Sequence, residues 1–388
     1  MNGALQLAIV GCGGIAGAHR EGYQILWENG LRDFKIIATC DVDEARAARM
    51  ADEVAAFQGM RPRVYKNVES LLERETELQA VDICATHRAH HTLAIPCLAA
   101  GKHVTIEKPL AITLRAGRMM LDAAEKAGVV LQVAENYRRD PSQRAIRWAV
   151  QEGWIGKVRM YYWIDIGERL WHWTWREHKH EAGGGWSLDG GVHFADLFRF
   201  HVGPIRSLYA EVRAFHPCRY EKPETLEGPI PVDVEDTTIC IFEFENGALG
   251  QWTSTSAAPG KDFHRRTLYG DQGSLDLGEG LTLRGGKTVS LAELAEEYKQ
   301  ALGPDGWEQL YPQGITHTFA TELWEFVQAA LHGGKVETDG WEGYKAEAVS
   351  IALYESSHLK RPVTLAEVES LEVEGYQREI NEELGLER

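Results

Sequence analysis

Short apolar runs and amphipathic stretches alternate through the first third of the chain. Runs at 5–10, 35–40, 64–65, 80–85, 103–106 and 129–134 predict strands, and the stretches at 15–28, 44–57, 68–74, 91–100 and 114–127 carry apolar residues at helical spacing. Strand and helix in alternation predict a parallel, doubly wound α/β sheet. The rhythm changes after about residue 140. A helical stretch at 142–152 leads into 158–165, which alternates like a strand with one buried face. Strand patterns follow at 205–214, 237–244, 248–255, 265–269 and 274–277, with tight turns at Asn246-Gly247 and Asp271-Gln272-Gly273. Neighbouring strands joined this way predict an antiparallel sheet. Stretches at 316–331 and 341–358 predict helices, and 367–388 is an acidic tail, helical or partly loose.

Composition narrows the function classes. A chain of 388 residues suits two domains. Its formal charge of −17 repels nucleic acid and anionic membranes. No apolar run approaches the roughly 20 residues of a membrane helix, and residues 1–18 lack a basic start and a continuous apolar core, so they read as strand and turn rather than signal peptide. Cys12, Cys40, Cys84, Cys97, Cys218 and Cys240 are scattered without a C-x-x-C pair, which suits buried thiols in the cytoplasm.

The first chemistry follows the first strand directly. Gly11-Cys12-Gly13-Gly14-Ile15-Ala16 is a G-x-G-x-x-A turn opening a helix. Gly11 allows the tight bend, Gly13 lets backbone approach a pyrophosphate, and Ala16 allows helix and strand to pack closely. The second strand ends at Asp41, 30 residues beyond Gly11, where a carboxylate binds a ribose diol and repels a 2′-phosphate. The first domain is therefore Rossmann-type, with NAD as cofactor; Arg46 and Arg49 keep NADP as the lesser alternative.

Three further segments resemble the glucose-fructose oxidoreductase / inositol dehydrogenase / MocA family of sugar and polyol dehydrogenases. They are 101–110, with the Glu107-Lys108-Pro109 triplet; 136–141, beginning Asn136-Tyr137-Arg138; and 183–196, which runs from Gly183-Gly184-Gly185-Trp186 through Asp189 and His193 to Asp196. The resemblance implies a dinucleotide domain over 1–138, a substrate and oligomerisation domain with a large open antiparallel sheet over 139–340, and a C-terminal helix and tail over 341–388 that packs back on the first. It also implies a carbohydrate substrate held between sheet and nicotinamide, and homodimers or homotetramers formed through the sheet. Thr86, His91, Glu107, Lys108 and Asn136 match cofactor positions of the family, and Arg138 a substrate position. One departure is His87, where the family usually has proline after the threonine.

Oxidising a carbinol needs a group that takes the hydroxyl proton. Lys108 follows a strand, where side chains reach the crevice of an open sheet. Asp189 and His193 are four apart and share a face if helical, so the carboxylate can orient the imidazole. These residues, with the family's matching positions, suggest His193 as base, Lys108 as a proton-sharing electrostatic group and Asp189 as orienter; Lys108 as base is the alternative. Asp196 either pairs within its helix or reaches substrate.

Five tryptophans, Trp163, Trp171, Trp173, Trp175 and Trp186, lie among Arg169, His172, Arg176, His178 and His180. Flat rings stack on pyranose faces and arginines supply forked donors, while the same residue types also fill subunit interfaces. Arg169, Trp173, Trp175, Arg176, Trp186, His193 and His317 join Arg138 as substrate candidates. His178-x-His180-Glu181 matches no standard zinc spacing, and no metal is expected. Three readings stand: a dehydrogenase acting on a secondary hydroxyl, with C3 of a pyranose, glycoside or inositol foremost; an NAD-dependent, redox-neutral glycoside hydrolase, as in relatives of the family, acting on an anionic or sulfonated sugar among others; and a ligand sensor that has lost catalysis, against which Lys108, Asp189 and His193 argue.

Overall fold

A computed structural model describes residues 3–386. The chain forms two compact units, Met1–Ala111, Ala116–Arg139 and Gly306–Tyr344 in the first, Ile112–Arg115, Asp140–Asp305 and Lys345–Arg388 in the second. Among the described residues, no helix is long and apolar enough to cross a membrane.

The first unit is built on six parallel strands, β1 (Leu5–Val10), β2 (Phe34–Cys40), β3 (Arg63–Tyr65), β4 (Ala80–Ile83), β5 (His103–Glu107) and β6 (Leu131–Ala134), in the order β3-β2-β1-β4-β5-β6. The order reverses between β1 and β4, and such a switch point opens a crevice at the carboxyl ends of the strands. Local rules set the helices between them. Asp43 caps Glu44–Gln58 by accepting from Ala45 and Arg46, and Gly59, at φ 77°, ends it.

Residues 306–340 had been expected in the second domain, yet they cluster with the first unit. The reason is packing. The helix Thr318–His332 turns its apolar face onto the helix Gly14–Glu28, and Leu323 and Phe326 join Tyr23 and Leu26 in one buried cluster. The helix Gly340–Leu359 begins on the same unit, where Trp341 donates its indole N–H to Glu125.

The second unit carries a nine-stranded sheet. Its strands are β7 (Val158–Ile166), β8 (Ile205–Arg213), β11 (Thr237–Phe244), β12 (Leu249–Thr255), β13 (Phe263–Gly270), β14 (Gly273–Asp276), β15 (Gly280–Leu283), β16 (Thr288–Ser290) and β17 (Val363–Thr364). The order is β16-β15-β14-β13-β7-β12-β11-β8-β17, and a separate hairpin pairs β9 (Cys218–Lys222) with β10 (Glu227–Pro231). The sheet is mixed rather than wholly antiparallel, because β12 lies parallel to β7. Its inner face buries Trp163 and Trp252 against Phe194 and Phe198 of the helix Gly191–Val202, so Trp163 is core and not a sugar platform. The tail is ordered through residue 386. Thr364 and Glu367 form a capping box, and Tyr376 and Gln377 are held by Glu355; residues 387–388 of the acidic segment lie outside the described residues.

Candidate active site

The glycine turn sits at the carboxyl end of β1, where the local geometry needs glycine. Gly11 has φ 84°, and a Cβ there would meet backbone atoms of Ala85 and Cys84 at 2.7 and 2.8 Å. Gly13 and Gly14 face open space, and the helix Gly14–Glu28 starts with no side-chain cap and no acid in its first turn. Its first N–H groups therefore suit a diphosphate. Asp41, just past β2, accepts from the Cys12 N–H at 2.7 Å through Oδ2 and from the Asp43 N–H at 2.8 Å through Oδ1. The carboxylate is fixed beside the turn and partly exposed, as a ribose ligand requires. Open glycines, an uncapped helix start and an anchored acid together fit a dinucleotide. Ala16 is buried against the strands, and Ile15 is half-buried at the helix start.

Other matched positions of the first unit gather at the ends of β4, β5 and β6. Thr86 is extended, at φ −70° and ψ 151°, and leads into the turn His87–Ala89. That conformation also precedes proline, so His87 follows the same local path. His91 is buried, and burial lowers its pKa. Its neighbour His90, which sequence reading overlooked, bridges the carbonyls of Pro109 (2.9 Å) and Ala85 (3.2 Å). Burial pushes it down to about 4, so the neutral ring donates to one of the two. Glu107 accepts from the Lys108 N–H through Oε2 (3.1 Å) and meets His19 through Oε1 (3.0 Å). Asn136 donates to Thr318, and half-buried His317 caps the helix Thr318–His332 by accepting from Ala320. Arg138 is buried and lies 3.9 Å from both Glu337 and Glu342 of the same unit.

In the second unit, Asp189 ends the short helix Trp186–Asp189 and His193 lies in the next, Gly191–Val202. Gly190 joins them in helical conformation, so the four-residue spacing keeps both on nearly continuous helix. Both side chains are largely buried. Asp189 pairs with Arg176 Nε at 3.3 Å, and the Arg176 guanidinium lies 4.4 Å from the Trp175 ring centre. Trp173 and Trp186 are 37% and 40% exposed, with ring centres 5.3 Å apart, and the Trp186 ring lies over Gly190. Arg169 points toward Asp262, 3.9 Å away. Asp196 is buried within its helix.

The triple glycine that leads into this helix pair is shaped by its neighbours. A Cβ on Gly184 would meet the Tyr354 hydroxyl at 2.4 Å, and one on Gly185 would meet Glu235 at 2.8 Å. Glu235 accepts from the N–H groups of Gly185 and Ser187 and from Tyr354. Burial raises its pKa and these donors work against the rise. Glu235 and Tyr354, far apart in sequence, carried no motif that could reveal them. Nor did the group of Asp165, His264 and Arg266, in which the imidazole and the guanidinium contact the carboxylate at 2.8–3.0 Å.

The first unit has a glycine turn, an uncapped helix start and an anchored acid that suit a dinucleotide, and the second has an acid paired with an arginine, a histidine four residues on and exposed tryptophans; a dinucleotide-dependent oxidoreductase is the class these features fit. Comparison with known proteins makes the class specific. Residues 5–135 match the model of an oxidoreductase family with an NAD-binding Rossmann fold, and residues 143–276 match that of the GFO/IDH/MocA C-terminal domain. The chain belongs to the GFO/IDH/MocA oxidoreductase family, and its cofactor is NAD. It is 30% identical to 1,5-anhydro-D-fructose reductase of Ensifer adhaerens over 75% of this chain and 80% of that protein. It is 28% identical to levoglucosan dehydrogenase of Pseudarthrobacter phenanthrenivorans over 73% and 79%, and 26% identical to D-glucoside 3-dehydrogenase of Escherichia coli over 66% and 70%. A solved levoglucosan dehydrogenase in complex with NADH and levoglucosan superposes with a TM-score of 0.74 at 25% identity, covering 93% of this chain and 99% of that one.

Proposed function

We propose that this enzyme oxidises the C3 hydroxyl of a pyranose sugar or glycoside with NAD. The surroundings of Asp189 carry the reading: a carboxylate paired with Arg176, the guanidinium over Trp175, and the exposed rings of Trp173 and Trp186 alongside. Forked donors for hydroxyls beside flat apolar faces are what recognition of a sugar ring requires. The 3-position follows the relative named D-glucoside 3-dehydrogenase; levoglucosan and anhydrofructose in the names of two others are likewise pyranose-derived.

NAD, when bound, accepts the hydrogen that leaves the carbinol carbon with its electron pair. His193 takes the hydroxyl proton, Asp189 holds the imidazole in the tautomer that can accept it, and Lys108 stabilises the oxygen as its proton departs. Arg176 holds Asp189 in place for that task.

The test is to supply NAD and a panel of pyranosides, including acidic and sulfonated ones, and to record reduced nicotinamide and released aglycone together. Reduced cofactor in step with oxidised sugar, without cleavage, is expected. Aglycone release with NAD unconsumed would overturn the dehydrogenase reading in favour of redox-neutral glycoside hydrolysis.

A further inference from the structure

The middle strands of a doubly wound sheet are buried on both faces and are ordinarily apolar. In this chain one row across them is polar. Asp82 of β4 pairs in register with Thr105 of β5, and Thr105 with Gln132 of β6, so the three side chains stand on one face of the sheet. All three are fully buried. The helix Gly14–Glu28 lays His19 on this row. Its Nδ1 lies 2.9 and 3.0 Å from the two Asp82 oxygens, and its Nε2 lies 3.0 Å from Glu107 Oε1. Ionised carboxylates only accept, so contacts at both ring nitrogens require a proton on each, and His19 is an imidazolium. Burial, the largest single influence, would lower its pKa, but Asp82 and Cys84 together outweigh burial and hold it well above the usual value.

Among the described residues, ionisable groups from several elements face this ring. Tyr23 lies one turn along the same helix, Cys84 donates to Asp82 at 3.4 Å, and Glu107 comes from β5. From Thr318–His332 come the Phe319 ring, 5.5 Å away, and Glu322, with Arg139 and Glu135 beyond it. Burial raises the Glu322 pKa well above its ordinary value, and His19 and Arg139 act against the rise.

We propose that His19 is a positioning residue for the reaction: clamped between Asp82 and Glu107, it fixes the Glu107 carboxylate against the Lys108 backbone and so sets where Lys108 stands. The inference rests on the assignment of Lys108 to the chemistry. The chain of contacts is continuous, from Cys84 through Asp82, His19 and Glu107 to the Lys108 N–H.

His19→Gln in the full-length enzyme keeps the side chain's length but loses the charge and one donor. The expected result is a kcat lowered at least tenfold, an NAD Kd within threefold of wild type, and an acid limb of kcat/KM displaced to higher pH, because the Glu107 charge beside Lys108 is no longer balanced. Asp82→Asn should lower kcat in the same way, and the double variant should be no worse than the poorer single one. Folded His19→Gln enzyme with wild-type kcat and pH profile would overturn the proposal. So would insolubility of both single variants, or loss of NAD binding in parallel with kcat, since either assigns the cluster to the fold alone. Lys108→Ala, run alongside, separates the two layers. If it stays active the Lys108 assignment fails; if it is inactive while His19→Gln is normal, only the clamp fails.

Discussion

Asp41 closes the glycine turn by accepting from Cys12 and Asp43, and its partly exposed carboxylate suits the diol of an adenosine ribose. Asp41→Ala should weaken NAD binding about tenfold, roughly 1.4 kcal/mol, while NADP gains relative to NAD; titration of both cofactors by fluorescence checks it. Glu322 is the residue-scale test of the buried row. Its folded pKa is raised, so the folded state holds a proton there that the unfolded state releases above about 4.5. Stability is therefore lost as pH rises from there toward the folded value, and His19 adds a loss of the same sign above about 6.5. Glu322→Gln should flatten the fall of Tm as pH rises above about 4.5. At this scale Gly11, Asp41, Lys108, Asp189 and His193 were legible because motif spacing carries them. His19, His90 and Glu235 were not, because their partners lie 48 to 119 positions away or on backbone carbonyls.

At the scale of elements, the seam between Gly14–Glu28 and Thr318–His332 depends on the absence of a side chain at Gly22. A Cβ there would meet Leu323, Ala320 and Phe319 at 3.0 to 3.2 Å, two of them backbone atoms. Gly22→Val should cost about 1–3 kcal/mol and lower Tm by several degrees in a thermal melt. The parallel strands were legible because apolar runs and turn residues agree there. The helix Leu291–Leu310 was not, because Gly303, at φ 69°, and Pro304 interrupt its pattern as a turn would. The short strands β9, β10, β15 and β16 were missed for another reason: each is three to five residues long, too short for alternation to stand out.

For the whole molecule, the outer face of the large sheet sets the association expected. Ile239, Ile241, Tyr209, Leu249 and Met160 share that face through their pairings, and Ile241 is 61% exposed. We propose a homodimer or homotetramer through this face; Ile241→Lys should shift the mass seen by light scattering toward the monomer. The thiols give a second global prediction. Burial pushes Cys12, Cys40 and Cys97 up to about 12 and Cys84 and Cys240 higher still, whereas Cys218 is partly exposed. Iodoacetamide should label Cys218 alone in native protein and all six thiols after denaturation, as read by mass spectrometry.

The assembly of the first unit from separated segments has a consequence for the chain as it leaves the ribosome. Its sheet is complete by Arg139, but the helix that covers His19, Gly22 and Tyr23 belongs to Gly306–Tyr344. At about 5–20 residues per second, roughly 10 to 40 s of synthesis separate the two. Through that interval the nascent sheet carries an uncovered, partly charged helix face, which makes it a natural client for chaperones. The Asp140–Asp305 segment of the second unit must emerge before the first can close.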